Sequence, residues 1–217
     1  MSELPYKTIS VSGSDAFEFL QSQLTNDLRL LETTAEIFSA WCNPKGRVIW
    51  FGTVHPTESG YAMSVAADLA EDMVRRLTVF RFRSKVEFAI EEGGTADPKF
   101  LITNGYPFIG AAQSEHFTAH MLNLDLLGAV SVDKGCYPGQ EIVARTHFRG
   151  ATKRRMMRFE SSTPVAPGDK VSEGERDIGE VLNADGTNLL AVVPTEKADQ
   201  DLKVNGIPLV HLPLPYL

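Results

Sequence analysis

The sequence predicts an α+β protein whose second part is all-β. Three observations carry this. Short apolar strands alternate with two amphipathic stretches over the first 90 residues. A turn-rich separator, Thr163-Pro164-Val165-Ala166-Pro167-Gly168-Asp169, follows a strand-like Met156-Met157-Arg158-Phe159. Beyond it come only brief β-type runs divided by Asp185-Gly186 and Asn205-Gly206, which favour tight hairpins. A small antiparallel barrel or sandwich is expected there, with its edges closed or docked on the first region.

Ile9 and Val11 mark a first strand. Ser12-Gly13-Ser14-Asp15 offers helix-starting side chains, and Phe17, Leu20 and Leu24 recur at helical spacing. Thr25-Asn26-Asp27 closes that helix. Residues 37–41 and 48–54 read as a hairpin whose bend, Cys42-Asn43-Pro44-Lys45-Gly46-Arg47, turns near Lys45-Gly46. Another strand is expected over 61–65, and a helix from near Asp68. Residues 79–86 alternate apolar and basic side chains and read as a strand with a basic face. Glu91 to Pro98 reads as a break, Glu115 to Met121 as a short helix, and Ile142 to Ala144 as the start of a buried strand. In the last part, strands are expected at 170–171, 178–182, 189–193 and 202–204.

The chain has 217 residues, 43% of them apolar, enough for one large or two small domains. Its start, Met1-Ser2-Glu3-Leu4-Pro5-Tyr6-Lys7, lacks the pattern of an export signal, and no run is long enough to span a bilayer. A soluble cytoplasmic protein without a membrane role is expected. Cys42 and Cys136 form no CxxC pair, and the histidines are scattered, so no metal site is expected. His116 and His120 share a helical spacing, but Phe117 and Met121 accompany them.

The net charge of −7 argues against a coat for nucleic acid, yet the cations are clustered. Arg75, Arg76, Arg81, Arg83 and Lys85 form one acid-free group. Arg145, Arg149, Lys153, Arg154, Arg155 and Arg158 form another. Together they hold over half of the 21 basic side chains. Such segments either focus a field on an anionic ligand or form solvated strand edges.

The densest polar chemistry lies in Asp133-Lys134-Gly135-Cys136-Tyr137-Pro138-Gly139-Gln140-Glu141, followed by Arg145. Its glycines and proline turn the backbone. A cation beside Cys136, from Lys134 or Arg145, would favour a thiolate; a structural thiol is the alternative. Glu141 has the acceptors to read a planar heterocycle, and Arg145 the fork to hold a carboxylate, unless the two serve in salt bridges. Tyr137 either stacks on a ligand or packs between domains. Asn26 with Asp27, and Lys45 with Arg47, are further candidates. All of these groups are expected to line one hollow between the two regions. No phosphate-loop or GxGxxG motif is present.

The run Lys134-Gly135-Cys136-Tyr137-Pro138-Gly139-Gln140-Glu141 and its following arginine resembles the K-G-C-Y-x-G-Q-E signature of the YgfZ-type folate-binding proteins. These are related to the glycine-cleavage T protein, an aminomethyltransferase. Residues 11–27, Asn43-Pro44-Lys45-Gly46-Arg47, Leu122-Asn123-Leu124-Asp125 and Leu212-Pro213-Leu214-Pro215-Tyr216 extend the likeness. The resemblance implies a T-protein-like α+β body over residues 1–155 and a small C-terminal antiparallel β-barrel over 156–217. It implies tetrahydrofolate or a derivative as cofactor, and a role in assembling or maintaining iron–sulfur enzymes, with a link to transfer-RNA thiomethylation. Its partners would be iron–sulfur enzymes or assembly factors. It makes Cys136 the candidate functional thiol, with Lys134 beside it. Asn26, Asp27, Lys45, Arg47, Tyr137, Gln140, Glu141 and Arg145 would surround the folate, and Arg83 or Arg154 would balance its anionic tail. The stretch between the basic strand and Tyr106 is short, which implies a reduced folate-enclosing wall. The alternatives are an active folate-dependent aminomethyl transferase and a noncatalytic RNA or protein adaptor.

Overall fold

The computed structural model describes residues 3–149 and 152–217, without the Arg149 side chain. The Met1-Ser2 start and the Arg149 side chain of the second basic group therefore lie outside what is described. The body contains β1 (Leu4–Ser12), α1 (Ala16–Gln23), β2 (Ile37–Cys42), β3 (Val48–Thr57), β4 (Gly60–Ala66), α2 (Ala70–Phe80) and β5 (Glu87–Ala96). Its five strands form an antiparallel sheet in the order β2-β3-β4-β1-β5. Two further helices follow, α3 (Pro98–Asn104) and α4 (Gln140–Arg149). The C-terminal strands are β6 (Arg154–Ser161), β7 (Lys170–Glu173), β8 (Arg176–Asp185), β9 (Asn188–Pro194), β10 (Leu202–Val204) and β11 (Ile207–Leu212). They close into a barrel in the order β10-β11-β6-β9-β8-β7, so closure leaves no free edge.

Alternation sorts the sheet residues between two cores. Ile9, Val11, Trp50, Met63 and Val65 pack with Leu20 of α1, with Leu24 just beyond it, and with Met73 and Leu77 of α2. On the opposite face, Val48 and Phe51 join Leu122, Leu124 and the barrel's outward-facing Met156, Leu190 and Val192. The barrel keeps its own interior, including Met157, Phe159, Leu189 and Val204. Burial of these apolar side chains, at about 25 cal/mol per Å², is the main force joining body and barrel.

A partly buried ion pair pins that seam. Arg155 on β6 donates to both carboxylate oxygens of Asp125, at 3.0 and 2.8 Å, and to Asn123 Oδ1 at 3.2 Å. Burial pushes the Asp125 carboxyl up, but the hydrogen bonds and charge of Arg155 outweigh it and hold it below its usual range. Asn183 exchanges two 2.9 Å hydrogen bonds with the backbone of Phe108. From the C-terminal end, the Tyr216 hydroxyl donates to Gly105 O at 2.7 Å.

Four local expectations are corrected. Residues 79–86 form no strand: α2 continues to Phe80 and a turn follows. Of the apolar members of that alternation, Phe80 and Phe82 are 42% and 87% exposed and Val86 alone is buried, too little burial to hold a strand there. Glu91 to Ala96 does not break the sheet, because β5 runs through it. Gly93 makes this possible, since a Cβ there would lie 2.4 Å from Tyr6 O at the irregularity in β1. Asp97 and Pro98 then start α3, with the Asp97 carboxylate accepting from Lys99 N.

Residues 115–121 form turns rather than a helix, because their backbone pairs with β3. Glu115 N donates to Val48 O at 2.7 Å, and Val48 N to Phe117 O at 2.8 Å. Residues 142–144 lie within α4, not a strand. Ile142 N and Val143 N both donate to Gly139 O, and of the three apolar side chains Val143 alone is fully buried.

Candidate functional site

The signature loop, residues 133–139, is held at both ends. At its start, the buried Lys134 reaches back to the C-terminal end of α1, where Nζ donates to Gln21 O and, at 2.6 Å, to Leu24 O. These carbonyls lie where a helix leaves acceptors unpaired and its dipole is negative, which suits an ammonium. The same ammonium lies 5.2 Å from the Tyr137 ring centroid. Burial pulls the Lys134 pKa down to about 8, against the opposing pull of Asp27. Gln140 Nε2 donates weakly to Lys134 O at 3.4 Å.

Gln21 links this anchor to Asp27. Its amide donates to Asp27 Oδ1 at 2.9 Å while its oxygen accepts from Leu28 N. Arg29 hydrogen-bonds the Asp27 carboxylate and, with its charge, holds that group far below the usual range. Asn26 is also absorbed into the fold: its Nδ2 donates to Phe38 O and Gly128 O at 2.7 and 2.8 Å. Tyr137 is buried and its hydroxyl has no partner among the described residues, so burial pushes its pKa well up.

At the far end, the loop meets the β2–β3 hairpin. Gly46 and Gly139 have φ of 69° and 81°, and the backbones touch. A Cβ on Gly139 would lie 2.5 Å from Asn43 O. Lys45 is exposed on that hairpin. Between the two anchors, Cys136 is exposed and Gly135 faces open space. Among the described residues no side chain hydrogen-bonds the Cys136 sulfur, and the Lys134 ammonium is committed to α1. The loop therefore presents an accessible thiol without a neighbouring base, which suits reaction with an incoming partner more than acyl transfer.

The anticipated residues do not gather around one hollow. Lys134, Asp27, Asn26 and Gln140 are hydrogen-bonded within the fold at or after the end of α1, and Tyr137 packs there with its hydroxyl unpartnered among the described residues. Glu141 and Arg145 are exposed on α4, and among the described residues neither makes an ion pair. Arg83 is exposed on the turn after α2. Arg47 and Arg154 line a separate cleft between body and barrel. Lys134, Cys136, Glu141, Arg145 and Arg83 line none of the five cavities described.

A larger hollow lies elsewhere, on the barrel-side face of the sheet. It measures about 570 Å³ and is walled by Tyr6, Phe38, Phe51, Phe100 and Tyr106, with Glu36 at its exposed rim. Phe38 stacks on Phe51 at 5.4 Å between centroids and leans on Tyr106 at 5.2 Å. Thr53 and Ser64 share a 2.9 Å hydroxyl contact in the wall. These residues come from separate strands and α3, so no local motif betrays them. The only trace in sequence is the alternation that sends Phe51 and Trp50 to opposite faces.

A family profile described as the CAF17 C-terminal beta-barrel domain matches residues 153–215. An uncharacterized protein of Haemophilus influenzae is 28% identical, over 97% of this chain and 95% of that protein. The tRNA-modifying protein YgfZ of Enterobacter sp. (strain 638) is 26% identical, over 95% of this chain and 90% of its own length. The chain is homologous to the YgfZ family. The YgfZ of Serratia proteamaculans is 40% identical to this homologue over 130 residues, 53% of this chain and 39% of that relative. The Enterobacter alignment extends over 292 positions against the 217 residues here, so that relative carries segments this homologue lacks. The glycine cleavage system aminomethyltransferase T of Bartonella henselae shares the fold, with a TM-score of 0.68 at 15% identity, covering 98% of this chain and 84% of that one.

Proposed function

We propose that this chain is a folate-binding accessory factor serving iron–sulfur proteins or transfer-RNA modification, with Cys136 as its working thiol. Homology to proteins named for transfer-RNA modification supports the setting. The observation that carries the folate reading is the aromatic hollow over β1, β3 and β4. A pterin and an aminobenzoyl ring are flat, and Phe38, Phe51, Phe100 and Tyr106 supply flat walls in a volume suited to a small molecule. Glu36 stands at the rim as an acceptor for ring N–H groups, the role first assigned to Glu141. Tetrahydrofolate bound there supplies a carrier for a one-carbon unit. The chain's own residues exclude water from the rings and orient them against the sheet.

The test is calorimetric titration with 5-formyltetrahydrofolate. Phe38→Ala and Tyr106→Ala are expected to weaken binding about tenfold, the size of one lost aromatic contact. Glu141→Gln and Arg145→Gln are expected to bind as the parent does. The opposite pattern would move the seat to the signature face and end this reading. For the thiol, Cys136→Ser should fold normally yet fail to restore a dependent iron–sulfur enzyme in a deletion strain.

A further inference from the structure

We infer that the cleft between body and barrel, where Arg47 and Arg154 converge, is a phosphate-binding site. The cleft measures about 420 Å³ and lies on the seam where the β2–β3 hairpin meets β6 and β8. Its two guanidinium groups come from separate parts of the chain, and each is held by backbone carbonyls. Arg47 Nη1 donates to His116 O, and Arg154 Nη2 donates to Ile178 O at 2.6 Å and Val192 O at 3.4 Å. Among the described residues neither makes an ion pair. Each has five N–H donors, so several remain for a ligand.

The backbone fixes where both side chains start. Arg47 is tied on both sides of its peptide to Asn43, which accepts its N–H at 3.0 Å through Oδ1 and donates to its carbonyl at 2.9 Å. Arg154 opens β6 in register with Pro194. Gly179 contributes backbone to the cleft wall, and its missing side chain makes room for Val171 and Val193 on the barrel's inner side. The other charged groups facing the cleft are Lys170, Glu180 and Asp177, with His116 at the edge. Lys170 and Glu180 neutralise each other in an ion pair. Two cations therefore face one unpaired carboxylate, an excess of one positive charge that a single negative charge, such as one phosphodiester or a monoanionic phosphate, balances. Planar forks anchored from behind are the geometry that takes phosphate oxygens in pairs. The same chemistry is offered by a phosphorylated small molecule and by the backbone of an RNA strand.

Two titrations distinguish these sources, each followed by NMR of the arginine Nε–H signals and by binding measurements on the full chain. The first uses inorganic phosphate, the second a 12-nucleotide single-stranded RNA. Arg47→Gln and Arg154→Gln are checked for native folding by their amide spectra. A phosphate response lost about tenfold in either variant, with no RNA binding, assigns a small phosphorylated ligand. RNA binding whose log–log salt slope falls by about 0.7 in each variant assigns the RNA backbone. No response to either probe, or RNA binding that both variants retain unchanged, overturns the site. Because 5-formyltetrahydrofolate is titrated against different residues, failure here leaves the aromatic seat untouched.

Discussion

Gly46 and Gly139 lie back to back, the hairpin bend of one segment against the turn that starts α4 in another. A Cβ on Gly46 would approach Ile142 Cβ to 2.9 Å, and one on Gly139 would approach Gly46 Cα to 2.8 Å. Both residues have positive φ, so any side chain here meets both strain and overlap. This contact, with the Lys134 anchor, sets where Cys136 stands.

Gly139→Ala should cost at least about 2 kcal/mol, from left-handed strain plus displacement of the hairpin. Urea denaturation measures the loss. The rate of Cys136 alkylation should change with it; an unaltered stability would show that the loop is not clamped at this point.

Lys134→Met removes an ammonium that ties the loop to the carbonyl end of α1. A loss of about 1 to 2 kcal/mol is expected at pH 7. Its pH dependence has a definite sign. The native group titrates near 8 against 10.5 unfolded, so the unfolded chain holds more protons between those values. Wild-type stability relative to Lys134→Met should therefore rise from pH 8 to 10.5, by up to roughly 3 kcal/mol. A flat difference curve would contradict the burial of a charged amine.

The two thiols should behave oppositely. Burial pushes Cys42 up to about 12, whereas Cys136 is exposed. Mass spectrometry after maleimide treatment at pH 7 should find one label on the native chain, at Cys136, and two in denaturant. In the unfolded chain Cys42 ionises from about pH 9, so its contribution to stability is present below that and is lost as pH rises towards 12.

Arg155→Met leaves Asp125 partly buried without its partner and should cost roughly 3 kcal/mol. The additional change Asp125→Leu should recover much of this, because the orphaned charge goes with it. A double-mutant cycle from thermal or urea unfolding checks the coupling, and additive losses would refute it.

The two-part α+β layout was legible because periodicity and turn pairs are local. The β2–β3 hairpin around Lys45-Gly46 and the β10–β11 turn at Asn205-Gly206 follow from residues a few positions apart. The expectations that failed were those in which distant backbone intervened. Residues 115–121 are claimed by β3, β5 crosses a glycine pair beside an irregular β1, and α4 starts from Gly139.

For the candidate site, the loop's mixed polar side chains marked it as unusual, and its exposed thiol is consistent with that. Lys134 and Asp27, though, turned out to be anchors of α1 and its exit.

By itself the sequence determined the element types wherever a short repeat of apolar residues sufficed, and it carried the signature that places the chain near the YgfZ proteins. Only the tertiary structure decided which polar groups remain free. Lys134 is taken up by carbonyls more than a hundred residues away in the chain, Asn26 by Phe38 and Gly128, while five scattered rings assemble a hollow that no segment announces. Such partnerships depend on burial and on contacts between remote strands, and neither is written in the spacing of neighbouring residues.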